Sequence, residues 1–548
     1  MTTIQQRQDE IIANIAHAAY KQPVLSNGFL FEGDVRDNFY YASYLFAASV
    51  DPTITFEGDR KEARDKAEGV FLHLLEIQDQ DPASSTYGHW PLNLRPTPQE
   101  ASKNTLPVEL MGSLMVYFAQ RYQEQLSEAL RVAFDKTLRH IYDSNFYRKP
   151  LTSYGHHEAK YTAAKLIFGQ RYEDAVLVQD GYESLQLTLK RVTANGMTEY
   201  GGLPWFWHWV QAFTCAWQLI QDTAIRSELA RMLDYLWSER ATFYLGGAWA
   251  GPHARIWPHD MPKDTNVLHD YVQYGDFKLP ANMPRTEYAG FLEYKAPAQT
   301  IQTALHRSSV PVEIKRQIPK QIGQAQHEND HLHSYVYFTE SFAMGGMWER
   351  IREFDNEQHR WDIAFPLDHV QGVNHAYFFH PDLEQPEGDL RHQSEYTEVL
   401  FHKQVIMATY SIPEDQPTYI KGCLPLGEWV ESPNGLFGRV GNALMAVYIQ
   451  QPYHREVLED RCFVTSRGRT NAVVVECVDQ ANAESLGIRD VHHFAEMMKA
   501  KQPTYGANNT ITYTSLSNQT LLLSGDPTKE IRKLIDGEVI DFTSYTIA

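Results

Sequence analysis

The sequence contains little cysteine and no long apolar segment. Its 548 residues include 4 cysteines, none of them in a CxxC pair, so no disulfide framework is expected. The first twenty residues are polar and amphipathic and lack the apolar stretch of a signal peptide. No run approaches the ~20 apolar residues of a membrane span. These absences predict a cytoplasmic protein.

Excess positive charge is also missing. The formal net charge is −20, which argues against nucleic acid or an anionic membrane as a partner, because both repel an acidic protein. An acidic sugar stays open as a ligand if the fold creates a local basic cleft. The sequence also lacks a Walker loop, a strand–helix GxGxxG unit, a GxSxG elbow and an HExxH motif. Nucleotide, dinucleotide, serine-hydrolase and zincin chemistry are therefore disfavoured, and no cofactor is expected.

Helical patterns dominate roughly the first 280 residues. Residues 4–19 and 61–77 each place their apolar side chains on one stripe. Residues 108–122 and 127–142 predict a helical hairpin in which Ser127 is the N-cap of the second helix. Since an average helix and its connection take ~20–30 residues, about 300 residues accommodate ten to twelve helices. That number is typical of an (α/α) toroid.

Strand-like segments replace the helices after about residue 325. Short β-branched and aromatic runs such as NAVVVECV and TITYTSLS alternate with turn residues, and one predicted helix near 491–500 interrupts them. This pattern predicts an antiparallel β-sandwich. The predicted fold class is therefore α+β with two domains. Residues 1–325 form a helical (α/α) toroid that carries the cleft, and residues 326–548 form the sandwich.

Four loop clusters in the helical half combine aromatic residues with histidine, glutamate or arginine at the ends of helices. Aromatic rings can stack on the C–H faces of pyranose rings, while imidazole and carboxyl groups transfer protons. In a helical toroid such helix ends meet over a central cleft, which predicts a carbohydrate site. The candidate substrate-binding residues are Trp90, Asn104, Trp205, His208, Trp249 and Asp260.

Several of these residues also have a purely structural interpretation. Asn104, shortly before a proline, suits a helix cap, and Trp205 suits a helical core. His156 and His157 differ from them, because two adjacent residues at the start of a helix cannot both face the core. We therefore expect at least one of these histidines to have a function.

A histidine-rich segment lies between the two predicted domains. His331 and His333 would share one face of a strand, which suits a pair of zinc ligands, and His327 precedes them. The spacing fixes no third ligand. A solvated interdomain linker is therefore the default interpretation of this segment.

The layout resembles that of heparinase II/III-like polysaccharide lyases, which join an α/α toroid to antiparallel β-sheets. Gly155-His156-His157-Glu158 looks like the loop that opens one helix in those lyases. The segment 195–202, NGMTEYGG, looks like the acidic loop that opens another helix about fifty residues later. Where the lyases have a tyrosine a few residues beyond the glutamate, this chain has Trp205 and Phe206.

The resemblance implies β-elimination from a uronate-containing sugar. In that mechanism His156 or His157 neutralises the substrate carboxylate, and Tyr200 is the nearest phenol able to transfer a proton. A phenol with a reference pKa of ~10 needs a nearby cation to act as a base. The resemblance adds His253 as a further polar group across the cleft. Our hypothesis for the cation is Arg255, and Glu199 completes the candidate catalytic residues.

Two other functions stay open at this stage. A glycoside hydrolase on the same toroid needs a pair of carboxylates, for which Glu199 and Asp260 are candidates with Glu109 in reserve. A non-catalytic carbohydrate-binding protein is the third possibility. In all three cases the expected partner is an oligosaccharide or polysaccharide, and a homo-oligomer is compatible with the sequence.

Overall fold

The structure is a computed structural model. It describes residues 2–254, 256, 260–281, 283–307, 310–320, 331–351, 358–382, 393–526 and 528–547. The chain divides into two compact units that are interleaved along the sequence. The first comprises Met1–Thr193, Pro204–Glu239 and Val267–Thr300, and the second comprises Ala194–Leu203, Arg240–Asn266 and Ile301–Ala548. The domain boundary expected at residue 325 stays a prediction.

The first unit is helical, and it contains all or most of the residues of each of the following helices. They are α1 (Ile4–Lys21), α2 (Val35–Val50), α3 (Arg60–Glu76), α4 (Leu106–Arg121), α5 (Glu128–Ser144), α6 (His156–Arg171), α7 (Ala175–Asn195), α8 (Leu203–Leu219), α9 (Thr223–Thr242) and α10 (Leu268–Gln273). A short antiparallel pair, β1 (Trp90–Pro91) and β2 (Lys103–Asn104), precedes α4. Helix α11 (Ala298–Leu305) follows at the end of the helical region.

Side-chain caps define where several of these helices begin. Thr3 and Gln6 form a reciprocal capping box at α1, and the carboxylates of Asp34 and Asp59 accept backbone N–H groups at α2 and α3. Ser127 accepts from the backbone of Leu130, which confirms it as the N-cap of α5. These bonds satisfy N–H groups that the helix itself leaves without a partner.

Many of the aromatic residues of the chain lie in the core of the helical unit. Phe39 stacks on Tyr288 with the ring centroids 5.6 Å apart, and Phe71 packs on Phe118 at 4.9 Å. The hydroxyl of Tyr288 donates to the hydroxyl of Ser43 at 2.6 Å. Abundant tyrosine and phenylalanine are therefore explained in large part by packing, since buried hydroxyls find partners within the helical core.

A buried histidine in this core gives the protein a predicted acid sensitivity. His269 on α10 is 4% exposed and packs on Trp207 with the centroids 5.1 Å apart. Burial lowers the pKa of His269 to about 3. Because the unfolded chain binds a proton there below pH ~6.5 and the folded chain does not, stability falls as the pH drops below that value.

We expect the protonation of His269 in the unfolded chain to lower the free energy of unfolding by about 2 kcal/mol between pH 7 and pH 5. Urea titrations at the two pH values measure the loss. The variant His269→Phe keeps a ring against Trp207 and should lose correspondingly less, whereas the exposed control His492→Phe should behave like the wild type. Equal pH dependence in all three proteins would contradict the prediction.

The second unit is built mainly from antiparallel strands. They are β3 (Tyr244–Leu245), β4 (Ala248–Trp249), β5 (Val312–Pro319), β6 (His331–Phe338), β7 (Ala343–Met347), β8 (Trp361–Ala364), β9 (His375–Phe379), β10 (Thr397–His402), β11 (Val405–Ser411), β12 (Tyr419–Pro425), β13 (Glu428–Ser432), β14 (Gly435–Val440), β15 (Ala443–Ile449), β16 (Tyr453–Val457), β17 (Arg461–Arg467), β18 (Thr470–Asp479), β19 (Thr504–Gly506), β20 (Thr510–Thr514), β21 (Thr520–Ser524), β22 (Arg532–Ile535) and β23 (Glu538–Val539). Two helices, α12 (Gln480–Ser485) and α13 (Val491–Lys499), follow β18.

Two large sheets of the second unit share one core. Their strand orders, over the described residues, are β16-β17-β12-β9-β8-β7-β6-β5 and β10-β11-β18-β15-β14-β13. Tyr335 on β6 stacks on Phe401 on β10 with the ring planes 4° apart, and the hydroxyl of Tyr410 on β11 donates to the carbonyl of Phe378 on β9. The sheets therefore pack as a sandwich, because side chains from both inner faces fill a single core.

A third layer covers the outer face of the smaller of these sheets. The sheet β19-β20-β21-β22-β23 contributes Tyr513, whose hydroxyl donates to buried Glu476 on β18 at 2.6 Å. Helix α13 packs on β14 and β15, and the hydroxyl of Tyr448 donates to its Met498 carbonyl. The predicted helix at 491–500 is confirmed, and so is the predicted order of a helical region followed by an antiparallel sandwich.

Candidate active site

Helix α4 presents a buried carboxylate in its first turn. The side-chain oxygen of Asn104 accepts the backbone N–H of Leu106 at 2.8 Å, and Pro107 lies at the helix start. Glu109 follows two residues later and is 3% exposed. Asn104 therefore has the capping contact that its structural interpretation predicts, while a role in substrate binding stays a prediction.

Helix α6 brings three polar side chains onto Glu109. It begins at His156, and residues 157, 160 and 161 follow at helical spacing, so they share a face. His157 Nδ1 lies 2.7 Å from Glu109 Oε2, and Lys160 Nζ lies 2.6 Å from the same oxygen. The Tyr161 hydroxyl donates to Glu109 Oε1 at 2.6 Å. One carboxylate thus organises a base, a cation and a phenol.

These contacts determine the charge of Glu109. Burial alone would raise the pKa of this carboxyl, but the hydrogen bond from His157 and the charge of Lys160 together hold it well below its usual range. Lys160 is itself 3% exposed, so its charge and that of Glu109 compensate each other in a site with little water. Glu109 is therefore an anion throughout the neutral range and an obligate hydrogen-bond acceptor.

The phenol of Tyr161 is held in its protonated form. Burial and the Glu109 carboxylate both raise the pKa of Tyr161. Lys149 lies over the ring, with Nζ 4.8 Å from the centroid and 3.3 Å from the hydroxyl oxygen. The proton of Tyr161 is directed at Glu109, which makes this phenol a poor base and a good support for the carboxylate.

A set of stacked rings adjoins the histidine pair. His156 is 1% exposed and lies on Trp205 with the centroids 4.8 Å apart and the planes at 25°. His208, one turn further along α8, lies 5.4 Å from the ring of His156. His156 occupies one face of the Trp205 indole. Because Trp205 is only 8% exposed, little of the ring is open for a sugar.

An arginine lies beside His208. Arg285 Nη1 is 3.5 Å from His208 Nε2 and 3.6 Å from Glu287 Oε1. Burial, together with the charges of Lys160, His156 and Arg285, lowers the pKa of His208 well below its ordinary value, so its ring is neutral. Among the described residues, its buried Nδ1 has no hydrogen-bond partner.

The loop that carries Arg285 is fixed to the helical core. The hydroxyl of Tyr44 donates to the carbonyl of Glu287 at 2.8 Å, and the backbone N–H of Tyr288 donates to Gln211 at 3.1 Å. Glu287 is 4% exposed and adopts a φ of 34°, a conformation that costs a non-glycine residue free energy. The helical core therefore imposes the position of this loop and of the guanidinium on it.

Several residues predicted to bind substrate have well-defined packing roles. The indole N–H of Trp90 donates to the carbonyl of Leu74 at 2.8 Å, and Trp90 is fully buried. Trp249 on β4 stacks on Phe243, and the Arg240 guanidinium lies over the Trp249 indole, 5.3 Å from the ring centroid. Binding roles for Trp90 and Trp249 stay predictions.

Tyr200 lies in a small apolar cluster of the second unit. It is 7% exposed among Ala254, Ile318, Leu332 and Met347, and its hydroxyl accepts a hydrogen bond from Gln358 at 3.1 Å. Glu199 beside it is half-buried, and Asp260 is 1% exposed. Arg255, the predicted cation, lies outside the described residues. The catalytic roles given to these residues stay predictions.

The second unit contains a separate buried cluster of ionisable groups around His375. Both ring nitrogens of His375 are hydrogen bonded to carboxylates, Nδ1 to Asp362 Oδ2 and Nε2 to Asp264 Oδ2, each at 2.6 Å. His253 and His359 adjoin it, with their centroids 5.6 Å apart and that of His253 5.6 Å from His375. All five side chains are at most 2% exposed.

Charge balance in this cluster depends on His375. Burial alone would lower its pKa, but Asp264 and Asp362 together raise it to about 10. Burial lowers the pKa of His253 to about 3, so that ring is neutral. The imidazolium of His375 is therefore the positive charge that offsets the two buried carboxylates.

The same cluster contains a donor set suited to a metal ion. One ligand atom each from His253, Asp362 and His375 lie within 4.8 Å of one another. Two imidazoles and a carboxylate suit zinc. The fit is incomplete as the side chains lie, because both nitrogens of His375 are already hydrogen bonded. A cation would have to replace the proton in one of those bonds.

His331 and His333 in the histidine-rich segment are the residues that the sequence offers as a pair of zinc ligands. His333 Nδ1 lies 2.6 Å from Glu349 Oε1, and its ring stacks on Phe542. His331 and His333 both lie on β6, as the spacing predicts, but neither belongs to a group of three ligand-type side chains within the described parts of the chain. His327 lies outside those parts.

Comparisons with known proteins give a likeness in fold. The sequence matches no protein-family model and no curated protein. Similar solved structures include a chondroitinase AC lyase in complexes with oligosaccharides (9% identity, TM-score 0.46, covering 99% of each chain) and heparinase III (9%, 0.46, covering 98% of this chain and 91% of that one). A third is the Streptomyces coelicolor A3 chondroitin AC lyase in complex with chondroitin sulphate (9%, 0.48, 95% and 85%).

One of these structures, heparinase III, bears the name of the family that the sequence resembles. At these identities and TM-scores the likeness assigns neither a reaction nor a residue. Within the described residues, no helix combines the length and the apolar character needed to cross a bilayer.

Sequence reasoning found part of this arrangement and missed the rest. It selected the histidine pair and His208, and it held Glu109 in reserve for a different reaction. It missed Arg285 and the group of Asp264, Asp362 and His375. The proline-rich surroundings of Arg285 offered a weak signal, whereas nothing in the spacing of residues 264, 362 and 375 indicates that they meet.

Proposed function

We propose that the protein is a lyase that cleaves a uronate-containing oligosaccharide or polysaccharide by β-elimination. The observation that carries this proposal is the pairing of half-exposed His157 with buried Glu109, in a site that also holds the Arg285 guanidinium. Elimination needs a base for a carbon-bound proton and a cation that neutralises the adjacent carboxylate. A base and a cation of these kinds are both present in the helical unit.

The base in this mechanism is Nε2 of His157. With Nδ1 occupied by Glu109, the remaining ring nitrogen has no hydrogen-bond partner among the described residues and lies on a side chain that is 40% exposed. An exposed, unprotonated imidazole nitrogen is suited to general base catalysis. His157 takes the proton from C5 of the uronate, and the C–H electron pair forms the C4–C5 double bond.

The cation for the substrate carboxylate is Arg285. Its guanidinium can bind a carboxylate through two N–H groups, which withdraws charge from the uronate and makes the C5 proton more acidic. As the C4–O bond breaks, the leaving oxygen takes the proton that His157 accepted. The products are an unsaturated uronide and a sugar with a free hydroxyl, so atoms and charge balance without a cofactor.

The test is a panel of uronate-containing oligosaccharides assayed with two readouts. Elimination creates a conjugated double bond that absorbs in the near ultraviolet, and each cleavage also yields a new reducing end. We expect both signals to rise together. New reducing ends without absorbance would identify a hydrolase, and calorimetric binding without either signal would identify a binding protein; each result would overturn the proposal.

A substitution at Tyr200 separates this mechanism from the one that the sequence resemblance implies. Because the Tyr200 hydroxyl is bonded to Gln358 in an apolar cluster, we expect Tyr200→Phe to lower kcat less than about tenfold. The lost hydrogen bond should cost about 1 kcal/mol of stability. Steady-state kinetics with a thermal melt measure both. A kcat loss of about 10²-fold or more in a stably folded variant would return the proton-transfer role to Tyr200.

A further inference from the structure

We infer that Glu109 is a positioning residue that fixes the tautomer of His157 and so determines which ring nitrogen is reactive. The inference rests on the proposed function for its catalytic consequence, but its structural half stands on the geometry of the helical unit alone. The carboxylate of Glu109 accepts at 2.7 Å from His157, at 2.6 Å from Lys160 and at 2.6 Å from Tyr161.

The hydrogens that each partner can donate determine how His157 contacts Glu109. The Lys160 ammonium can only donate, Tyr161 directs its one O–H at Glu109, and an ionised carboxylate can only accept. Glu109 is ionised, so the contact with His157 is made only when Nδ1 carries the hydrogen. In neutral His157 the hydrogen is therefore on Nδ1 and the lone pair is on Nε2. A free imidazole does not have this preference imposed on it.

Lys160 and Tyr161 make the arrangement rigid. Lys160 is 3% exposed and compensates the charge of Glu109, while Tyr161 occupies the second carboxylate oxygen. Because both oxygens are engaged, Glu109 cannot rotate away from His157 without breaking several buried hydrogen bonds. A fixed carboxylate orients the ring as well as selecting its tautomer, as second partners of catalytic and metal-bound histidines commonly do.

A purely structural role is the competing explanation, since Glu109 also pairs with buried Lys160. The two roles are separated by the double variant Glu109→Gln/Lys160→Met, which removes both charges and leaves no unpaired ion. The matched control is Lys165→Met/Asp180→Asn. It removes a 2.9 Å ion pair between a 2% exposed lysine on the same helix, α6, and a carboxylate on α7. Circular dichroism and thermal melts establish that both double variants fold.

The first measurement is the ¹⁵N spectrum of the His157 imidazole, assigned by comparison with His157→Gln. In the wild type and in the control, neutral His157 should carry its hydrogen on Nδ1. In the Glu109→Gln/Lys160→Met variant, the Nε2–H tautomer should rise to a comparable population. A neutral wild-type His157 with its hydrogen on Nε2 would overturn the inference, whatever the enzyme does.

The second measurement is steady-state kinetics on the oligosaccharide that the wild type cleaves. We expect kcat of the Glu109→Gln/Lys160→Met variant to fall about 10²-fold or more with KM changed less than about threefold. The reason is that His157 loses the carboxylate that orients its ring, selects its tautomer and stabilises the imidazolium formed when it accepts the proton. The control should keep its kcat within about threefold. If the double variant retains wild-type kcat, Glu109 has only a structural role. If the wild type cleaves no uronate sugar, the proposed function fails while the spectrum still decides the tautomer.

Discussion

Replacing His157 with alanine should lower kcat by about 10²- to 10⁴-fold, the range that a general base contributes. The ring is half-exposed and hydrogen bonded only through Nδ1 to Glu109 within the described chain, so its removal costs little packing. The lost hydrogen bond to the buried Glu109 carboxylate should lower stability by about 1–3 kcal/mol. Kinetics by near-ultraviolet absorbance and a thermal melt of the same preparation give the two numbers.

A chemical rescue makes this test more specific. Exogenous imidazole should restore part of the activity of His157→Ala, because the alanine leaves space beside Glu109 for a free base. The control His492→Ala, at a side chain that is 73% exposed, should match the wild type and show no response to imidazole. His157→Ala with kcat within threefold of wild type would exclude this histidine as the base.

Replacing His375 with alanine should have the largest effect on stability, a loss of about 3–5 kcal/mol. The substitution leaves Asp264 and Asp362 buried side by side without the imidazolium that lies 2.6 Å from each. Both carboxylates are fully or almost fully buried, so water cannot replace the lost partner. Urea denaturation at pH 7, followed by the fluorescence of Trp361 and its neighbours in the second unit, measures the change.

A second variant shows whether charge or packing causes the loss. The pair Asp362→Asn/His375→Gln keeps hydrogen-bonding groups at both positions and removes one negative and one positive charge, so it should recover at least half of the lost stability. His369→Ala, at an exposed position of the same unit, is the control. A loss below about 1 kcal/mol for His375→Ala would show that the cluster does not depend on this imidazolium.

The fold could be predicted from the sequence because local signals repeat along it. Apolar periodicity located α1, α3, α4 and α5 to within a few residues, and the Ser127 cap has the predicted hydrogen bond. The change from helical to strand-like patterns also identified the sandwich. Such signals are independent of distant contacts, which is why a single sequence carries them.

The candidate site could be predicted only in part. The local rule that adjacent residues at a helix start face different ways singled out the histidine pair, and the structure places His156 in a buried ring stack and His157 on Glu109. Glu109 was expected only as a reserve carboxylate for hydrolysis. Its contact with His157 joins residues 48 positions apart, and no periodicity within one helix specifies how α4 meets α6.

The sequence by itself determined the elements, their order and the types of side chain available to the chemistry. Tertiary structure alone decided which of those side chains meet. From the sequence alone, Tyr200 and His157 are equally suited to proton transfer. In the structure, Tyr200 is hydrogen bonded within an apolar cluster, whereas His157 is half-exposed and contacts a buried carboxylate. The physical reason is that protonation state and reactivity follow from burial and hydrogen-bond partners. For these two residues the partners lie 48 and 158 positions away along the chain, so helix and strand packing brings them together.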